Sequence, residues 1–232
     1  TTEIYTLSLH DALPISQKSK LAAIEAMWET EAAPAGFNLL AWPNEERQAN
    51  EWEIRIPYVL GLIATRSVSE TLPGIKEIRA ANRQRIESGV QAVLALEALR
   101  QNPADEAAKA TFAKHQQDMG YGMLVKRYSP DLAQATPAML DQAAHDSVPK
   151  VAPLFWTFRL MVLLGFAMLL LVGLAFWYSV KNSFQQKTWL LRWALWFIPM
   201  PWIAIQSGWF VAEYGRQPWT VFGMLPTHLS AS

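Results

Sequence analysis

Three ionisable residues stand at the ends of strongly apolar segments, where a charge without a partner is costly. Arg159 comes just before one such segment, and Glu213 and Arg216 follow another. A residue of this kind either reaches water through its long side chain or serves a function, such as binding a cofactor or moving a proton. The residue types alone leave both interpretations open.

Three further residues have weaker chemical signals. Met161 carries a thioether that can ligate iron, but methionine in an apolar helix usually fills gaps in the packing. Lys20 and Glu25 lie five residues apart in a segment of helix-forming composition, so they do not share a helix face. By residue type alone they are ordinary solvated charges.

The elements that must position these residues divide at about Pro149–Pro153. Of the 40 Asp, Glu, Lys and Arg residues, 32 lie in 17–150 and only six in 151–232. Leu160–Val180 contains 21 residues without a charge, enough to cross the ~30 Å hydrocarbon layer as a helix. A second uncharged segment, 193–212, is interrupted by Pro199 and Pro201, so it predicts a kinked span.

The charge distribution also predicts how the chain crosses the membrane. The linker 181–192 carries Lys181, Lys187 and Arg192 and no acidic residue, so the positive-inside rule puts it in the cytoplasm. We therefore predict an outward loop domain at 17–150, transmembrane helices at 151–180 and 193–213, and an outward segment at 214–232.

The loop domain is predicted to be mostly helical. Helix-forming composition marks 17–31, and apolar residues at spacings of three and four mark an amphipathic helix over 74–101. Asn102 before Pro103 predicts a helix N-cap, and Thr136 before Pro137 repeats that pattern. The predicted fold class is an all-α membrane protein, with two transmembrane helices of a larger bundle and a mostly helical extramembrane loop.

Residues 1–16 have a different predicted origin. TTEIYTLSLHDALPIS is the translation of a nucleotide string that resembles a sequencing adapter, and it lacks the basic and apolar regions of a signal peptide. We interpret 1–16 as artefactual, so the natural sequence is expected to enter at about Gln17. Different codons in the underlying gene would refute this.

Composition excludes several classes of site. The formal net charge is +0, which does not suggest a nucleic-acid-binding surface. The chain has no cysteine, so disulfides, thiolate metal sites and cysteine nucleophiles are absent.

Three stretches of sequence resemble a known family. Residues 208–219 read GWFVAEYGRQPW and are similar to the GWxxxExGRQPW signature of cytochrome bd oxidase subunit I. Residues 20–30, KLAAIEAMWET, resemble the start of the long form of that family's quinol-binding loop. The stretch 151–161 resembles its seventh transmembrane span. The resemblance runs from about Gln17 to the end of the chain.

The resemblance implies haem-binding roles for five residues. Met161 matches the axial ligand of the low-spin haem b, and Arg159 matches an arginine near that haem. Glu213 matches the carboxylate associated with the high-spin haem b, where it could ligate the iron or act catalytically by accepting a proton, with Trp209 one helical turn before it. Arg216 belongs to the same motif and is expected to help bind the cofactor. The family's histidine ligands are expected outside this chain, because neither predicted span contains a histidine.

The resemblance also implies the reaction. Lys20 and Glu25 match loop positions tied to quinol oxidation, where an acid can accept a hydroxyl proton. The expected activity of the intact complex is the oxidation of quinol and the reduction of oxygen to water. Its expected components are the second subunit, two b-type haems, haem d and membrane lipid, in a bacterial inner membrane with the loop facing the periplasm. No residue of the chain specifies haem d, so a variant with only b-type haems stays open. The alternative is a two-span membrane protein without a redox role, whose outward domain binds a partner.

Overall fold

The computed structural model describes residues 17–33, 35–58, 60, 71–183 and 186–230. The segment interpreted as adapter-derived, 1–16, lies outside the described residues. The helices are α1 Lys18–Ile24, α2 Ile75–Gln101, α3 Glu106–His115, α4 Met119–Met123, α5 Pro137–Asp146, α6 Val151–Val180, α7 Thr188–Trp196, α8 Met200–Tyr214 and α9 Thr227–Ser230. The strands are β1 Phe37–Asn44, β2 Ala49–Ile56, β3 Trp219–Val221 and β4 Leu225–Pro226.

The mostly helical membrane fold is confirmed. Two helical runs, Pro137–Val180 and Thr188–Tyr214, are long and apolar enough to cross a bilayer. The second run is interrupted by a turn at 197–199, between α7 and α8. The last residue of this turn is Pro199, one of the two prolines that predicted a kink. Helix α7 begins at Thr188, so helical structure starts inside the predicted linker. Helices α6 and α8 pack against each other as an antiparallel pair.

The loop domain contains a β-hairpin that the sequence pattern did not predict. Strands β1 and β2 pair antiparallel, with Leu40 opposite Ile54 and Ala41 opposite Glu53. The pairing is irregular at two places in β1. Most residues of β2 are exposed, whereas Asn38 and Ala41 on β1 are fully buried. The hairpin therefore turns one part of β1 towards the rest of the molecule.

Two local predictions in the loop domain were wrong. The first helix ends at Ile24, not near Glu31, because Ala26 has a positive φ of 50° that a right-handed helix cannot contain. The cap of α3 is Asp105, whose carboxylate accepts a hydrogen bond from the Ala108 amide at 3.0 Å, while Asn102 ends the preceding helix. The predicted cap at Thr136 does occur: its side chain accepts from the Met139 amide.

The segment after α8 folds back onto the loop domain. Trp219 is 2% exposed and lies 4.9 Å from Tyr121, measured between ring centroids. It belongs to an apolar core that includes Ile86 of α2 and Tyr121 of α4. The chain before α6 and the chain after α8 therefore lie at the same end of the helix pair.

Candidate functional site: two ionic clusters where the loop domain contacts the spans

A buried ion pair joins the loop domain to α6. Arg159 Nη2 lies 2.8 Å from Glu25 Oε2, and the two residues are 8% and 2% exposed. Helix α1 ends at Ile24, which leaves Glu25 as its C-terminal cap residue, facing α6. The sequence left two interpretations of Arg159 open, reaching water or binding a cofactor. In this structure its partner is the carboxylate of a residue 134 positions earlier in the chain.

Each nitrogen of the Arg159 guanidinium donates to the loop domain. Nε donates to the carbonyl oxygens of Asn38 and Leu39 at 3.1 and 3.2 Å, and Nη1 donates to that of Ile24 at 3.2 Å. The group also lies over the ring of Phe155, 4.3 Å from its centroid. Charge-assisted bonds and a ring face satisfy a cation that water cannot reach.

Burial changes the acidity of Glu25. Removal from water disfavours the charged carboxylate and raises the pKa of Glu25 above its usual value, and the positive charge of Arg159 offsets part of that rise. Glu31 adds a smaller rise through charge repulsion. A carboxylate whose pKa is moved towards neutrality is well suited to accept and release protons.

A second cluster forms where α8 ends. Lys20 Nζ donates to the carbonyl oxygen of Ala212 at 3.2 Å, and Arg216 Nη2 lies 3.1 Å from Glu213 Oε1. Partial burial lowers the pKa of Lys20, the Arg216 charge lowers it further, and the Glu213 charge opposes this. The stem of Lys20 lies against Gly215, where an added Cβ would be 2.8 Å from its Cγ. The glycine makes room for the lysine.

Helix α1 thus carries one residue into each cluster. Lys20 contacts the end of α8, and Glu25 contacts α6. The two predicted quinol-loop residues therefore lie beside three of the predicted haem-side residues, Arg159, Glu213 and Arg216. Sequence spacing could not have shown this, because the contacts join residues 134 or more positions apart.

Met161 lies where α6 packs against α8, whereas Trp209 of α8 is largely exposed. The Met161 sulfur packs against Gly208 of α8, where an added Cβ would be 3.0 Å from it. Trp209 is 65% exposed. A glycine at 208 therefore leaves space for a sulfur atom between the helices, and the neighbouring tryptophan ring has an open face.

The donor chemistry of the spans fits a haem iron in part. The thioether of Met161 is a known type of ligand for haem iron, and the carboxylate of Glu213 is an oxygen donor. Residues 151–214 contain no histidine, so a second axial donor has to come from outside these helices. Among the described residues there is no cluster of three or more His, Cys, Asp or Glu that could hold a metal ion.

The sequence analysis missed Asn38, which is fully buried and accepts from Arg159 through its backbone carbonyl. No local signal distinguishes it from other asparagines in the chain. A buried asparagine is recognisable only once the partners of its amide are known.

Comparisons with known proteins agree with this architecture. The sequence model of the family described as "Cytochrome bd terminal oxidase subunit I" matches residues 11–232. Cytochrome bd-II ubiquinol oxidase subunit 1 of Escherichia coli (strain K12) is 40% identical over 216 residues, 93% of this chain and 42% of that protein. Cytochrome bd ubiquinol oxidase subunit 1 of Bacillus subtilis (strain 168) is 26% identical over 217 residues, 94% of this chain and 34% of that protein.

A solved structure shows the same fold. The bd oxidase from Geobacillus thermodenitrificans superposes with a TM-score of 0.54 at 20% identity, covering 93% of this chain and 34% of that chain. The chain spans less than half the length of the relatives it matches. The resemblance seen in the three stretches of sequence is confirmed. This membrane protein belongs to the cytochrome bd terminal oxidase subunit I family.

Proposed function

We propose that this chain supplies the quinol-oxidising surface of a cytochrome bd-type terminal oxidase. In the complete complex, electrons from quinol would pass through haems to oxygen, forming water. The observation that carries the proposal is the contact of α1 with both spans: Glu25 bonds to Arg159, and Lys20 bonds to the end of α8. The names of the relatives, ubiquinol oxidase subunits, support it.

At the quinol end, Glu25 is proposed to accept a hydroxyl proton and Lys20 to orient a ring oxygen. The raised pKa of Glu25 suits a proton acceptor, and the lowered pKa of Lys20 suits a hydrogen-bond donor that binds a neutral ring. Glu25 is closed off from solvent. The proposal therefore includes an opening of the loop over Glu25 when quinol binds.

At the cofactor end, Met161 would hold the low-spin haem b through its sulfur, and Glu213 would supply a carboxylate at the high-spin haem b. When bound, the haems would supply one-electron redox chemistry for the reduction of oxygen. Trp209 would offer its open ring face to a macrocycle, and Arg159 and Arg216 would supply positive charge near it. Haem d is proposed from the family resemblance alone.

The proposed setting is a bacterial inner membrane, with the second subunit as partner. The linker with Lys181 and Lys187 would face the cytoplasm under the positive-inside rule. The loop domain would then face the periplasm. The packing of Trp219 against Tyr121 supports a shared side of the membrane for the loop domain and the segment after α8.

Glu25→Gln tests the proton-accepting role. An amide keeps the shape of the side chain but cannot accept a proton, so we expect quinol oxidation by the complete complex to fall about 10²- to 10⁴-fold. The haem absorption spectra should be retained. Steady-state oxygen consumption with quinol measures the rate of oxidation, and optical spectroscopy measures the haem absorption.

Glu29→Gln is the matched control for this experiment. Glu29 lies four residues further on and pairs with Lys76 on the surface, with 2.7 Å between Nζ and Oε1. Its replacement should leave oxygen consumption near the original rate. Equal rates for the two variants would remove Glu25 from the reaction.

A further inference from the structure

Asn38 lies at the centre of the contact between the hairpin and the Glu25–Arg159 pair. It is 0% exposed, although its side chain is polar. Its Nδ2 donates to the backbone carbonyl of Glu25 at 2.8 Å, and its Oδ1 accepts from Arg55 Nε at 3.2 Å. Both halves of the amide are therefore satisfied by residues of the loop domain.

The backbone of the same residue holds the other member of the pair. The Asn38 carbonyl accepts from Nε of Arg159 at 3.1 Å and also from Nη2. One residue of β1 thus fixes the main chain at Glu25 with its side chain and the guanidinium of Arg159 with its main chain. A shift of β1 would move the acid and the cation together.

Charged residues lie on both sides of Asn38. Glu25 and Arg159 lie on one side, and Arg55 lies on the other, paired with Glu31. A neutral amide can bond to both sides, because it has one donor group and one acceptor group. A carboxylate at this position would have no proton for the Glu25 carbonyl and would add a negative charge beside Arg159.

We propose that Asn38 is a positioning residue for quinol oxidation, holding the Glu25 carboxylate and the Arg159 guanidinium in their paired arrangement between the hairpin and α6. The inference rests on the proposed function of Glu25. It goes beyond that function by assigning the hairpin a task in the reaction.

The chain offers a matched control in Asn50 of β2. Its Nδ2 donates to the carbonyl of Ala26 at 3.1 Å, and its Oδ1 accepts from Trp28 Nε1 at 2.9 Å. Asn50 therefore donates to the backbone carbonyl of Ala26 in the same way that Asn38 donates to that of the preceding residue, Glu25. Among its described contacts, none is with Glu25 or Arg159.

The test compares Asn38→Asp with Asn50→Asp in the complete, haem-loaded complex. For Asn38→Asp we expect the acidic limb of the kcat/KM profile for quinol to move about one pH unit higher, a tenfold loss on that limb, because an added negative charge raises the pKa of Glu25. We also expect a lower midpoint potential for the low-spin haem, because the new charge weakens the field of Arg159. Asn50→Asp should move neither quantity.

Equal pH profiles and equal potentials for the two variants would overturn the inference. If Asn38→Asp does not assemble with its haems, Asn38→Ser is compared with Asn50→Ser. Serine is too short for the two side-chain bonds of Asn38. The Glu25–Arg159 pair should therefore loosen, and the acidic limb of the kcat/KM profile should move to higher pH in Asn38→Ser alone. The Glu25→Gln result distinguishes a failure of the role of Asn38 from a failure of the proposed function of Glu25. Loss of activity in Glu25→Gln, together with equal behaviour of the asparagine variants, would refute the role of Asn38 and leave the proposed function standing.

Discussion

Replacing Met161 with leucine in the complete complex is expected to abolish the absorption bands of the low-spin b-type haem. Leucine has a similar volume and the same apolar character, so α6 should still pack against α8. It has no sulfur lone pair, so the proposed axial bond cannot form. Optical difference spectra of the reduced and oxidised complex measure the loss directly, and quinol oxidation should be lost with the bands.

Met168→Leu is the control for this variant. Met168 lies on α6 seven residues after Met161, two turns along nearly the same face. If Met161 only fills space between the helices, the two leucine variants should have the same spectra. An unchanged low-spin spectrum in Met161→Leu would remove the assignment of Met161 as a ligand.

The membrane-spanning part of the fold could be predicted because its signal is local. Uncharged segments of 20 or more residues identify the spans, and Pro199 indicates the turn between α7 and α8. The hairpin could not be predicted in the same way. Leu39 and Leu40 are adjacent and Pro43 interrupts β1, so the alternation of polar and apolar residues that marks a strand is broken where the pairing is irregular.

The candidate site could be predicted only in part for the same reason. The motif at 208–219 identified Glu213 and Arg216, and the loop motif identified Lys20 and Glu25. The partner of Arg159 could not be deduced, because the Glu25 carboxylate comes from 134 residues earlier and becomes buried only when α1 ends at Ile24. Ion pairs between distant segments depend on tertiary packing, which no local sequence period records.

Arg159→Leu is expected to weaken the docking of the loop domain on α6 by about 3–5 kcal/mol, because it leaves the Glu25 carboxylate buried without its cation. The carbonyl groups of Asn38 and Ile24 lose a donor at the same time. The rate of limited proteolysis within 17–150 of the assembled complex measures the docking. Arg192→Leu, an exposed cation on α7, should leave that rate unchanged.

A double variant separates the cost of an unpaired charge from the worth of the pair. Replacing both members of a buried ion pair with apolar residues is often far less damaging than removing one, because no charge is left without a partner. Arg159→Leu with Glu25→Leu should therefore recover much of the resistance to proteolysis that Arg159→Leu alone loses, while quinol oxidation stays low. If the double variant is cleaved as easily as the single one, the docking of the loop domain depends on the bonds from Arg159 to backbone carbonyls. The pairing with Glu25 then contributes little to the docking. If quinol oxidation returns in the double variant, Glu25 cannot be the proton acceptor.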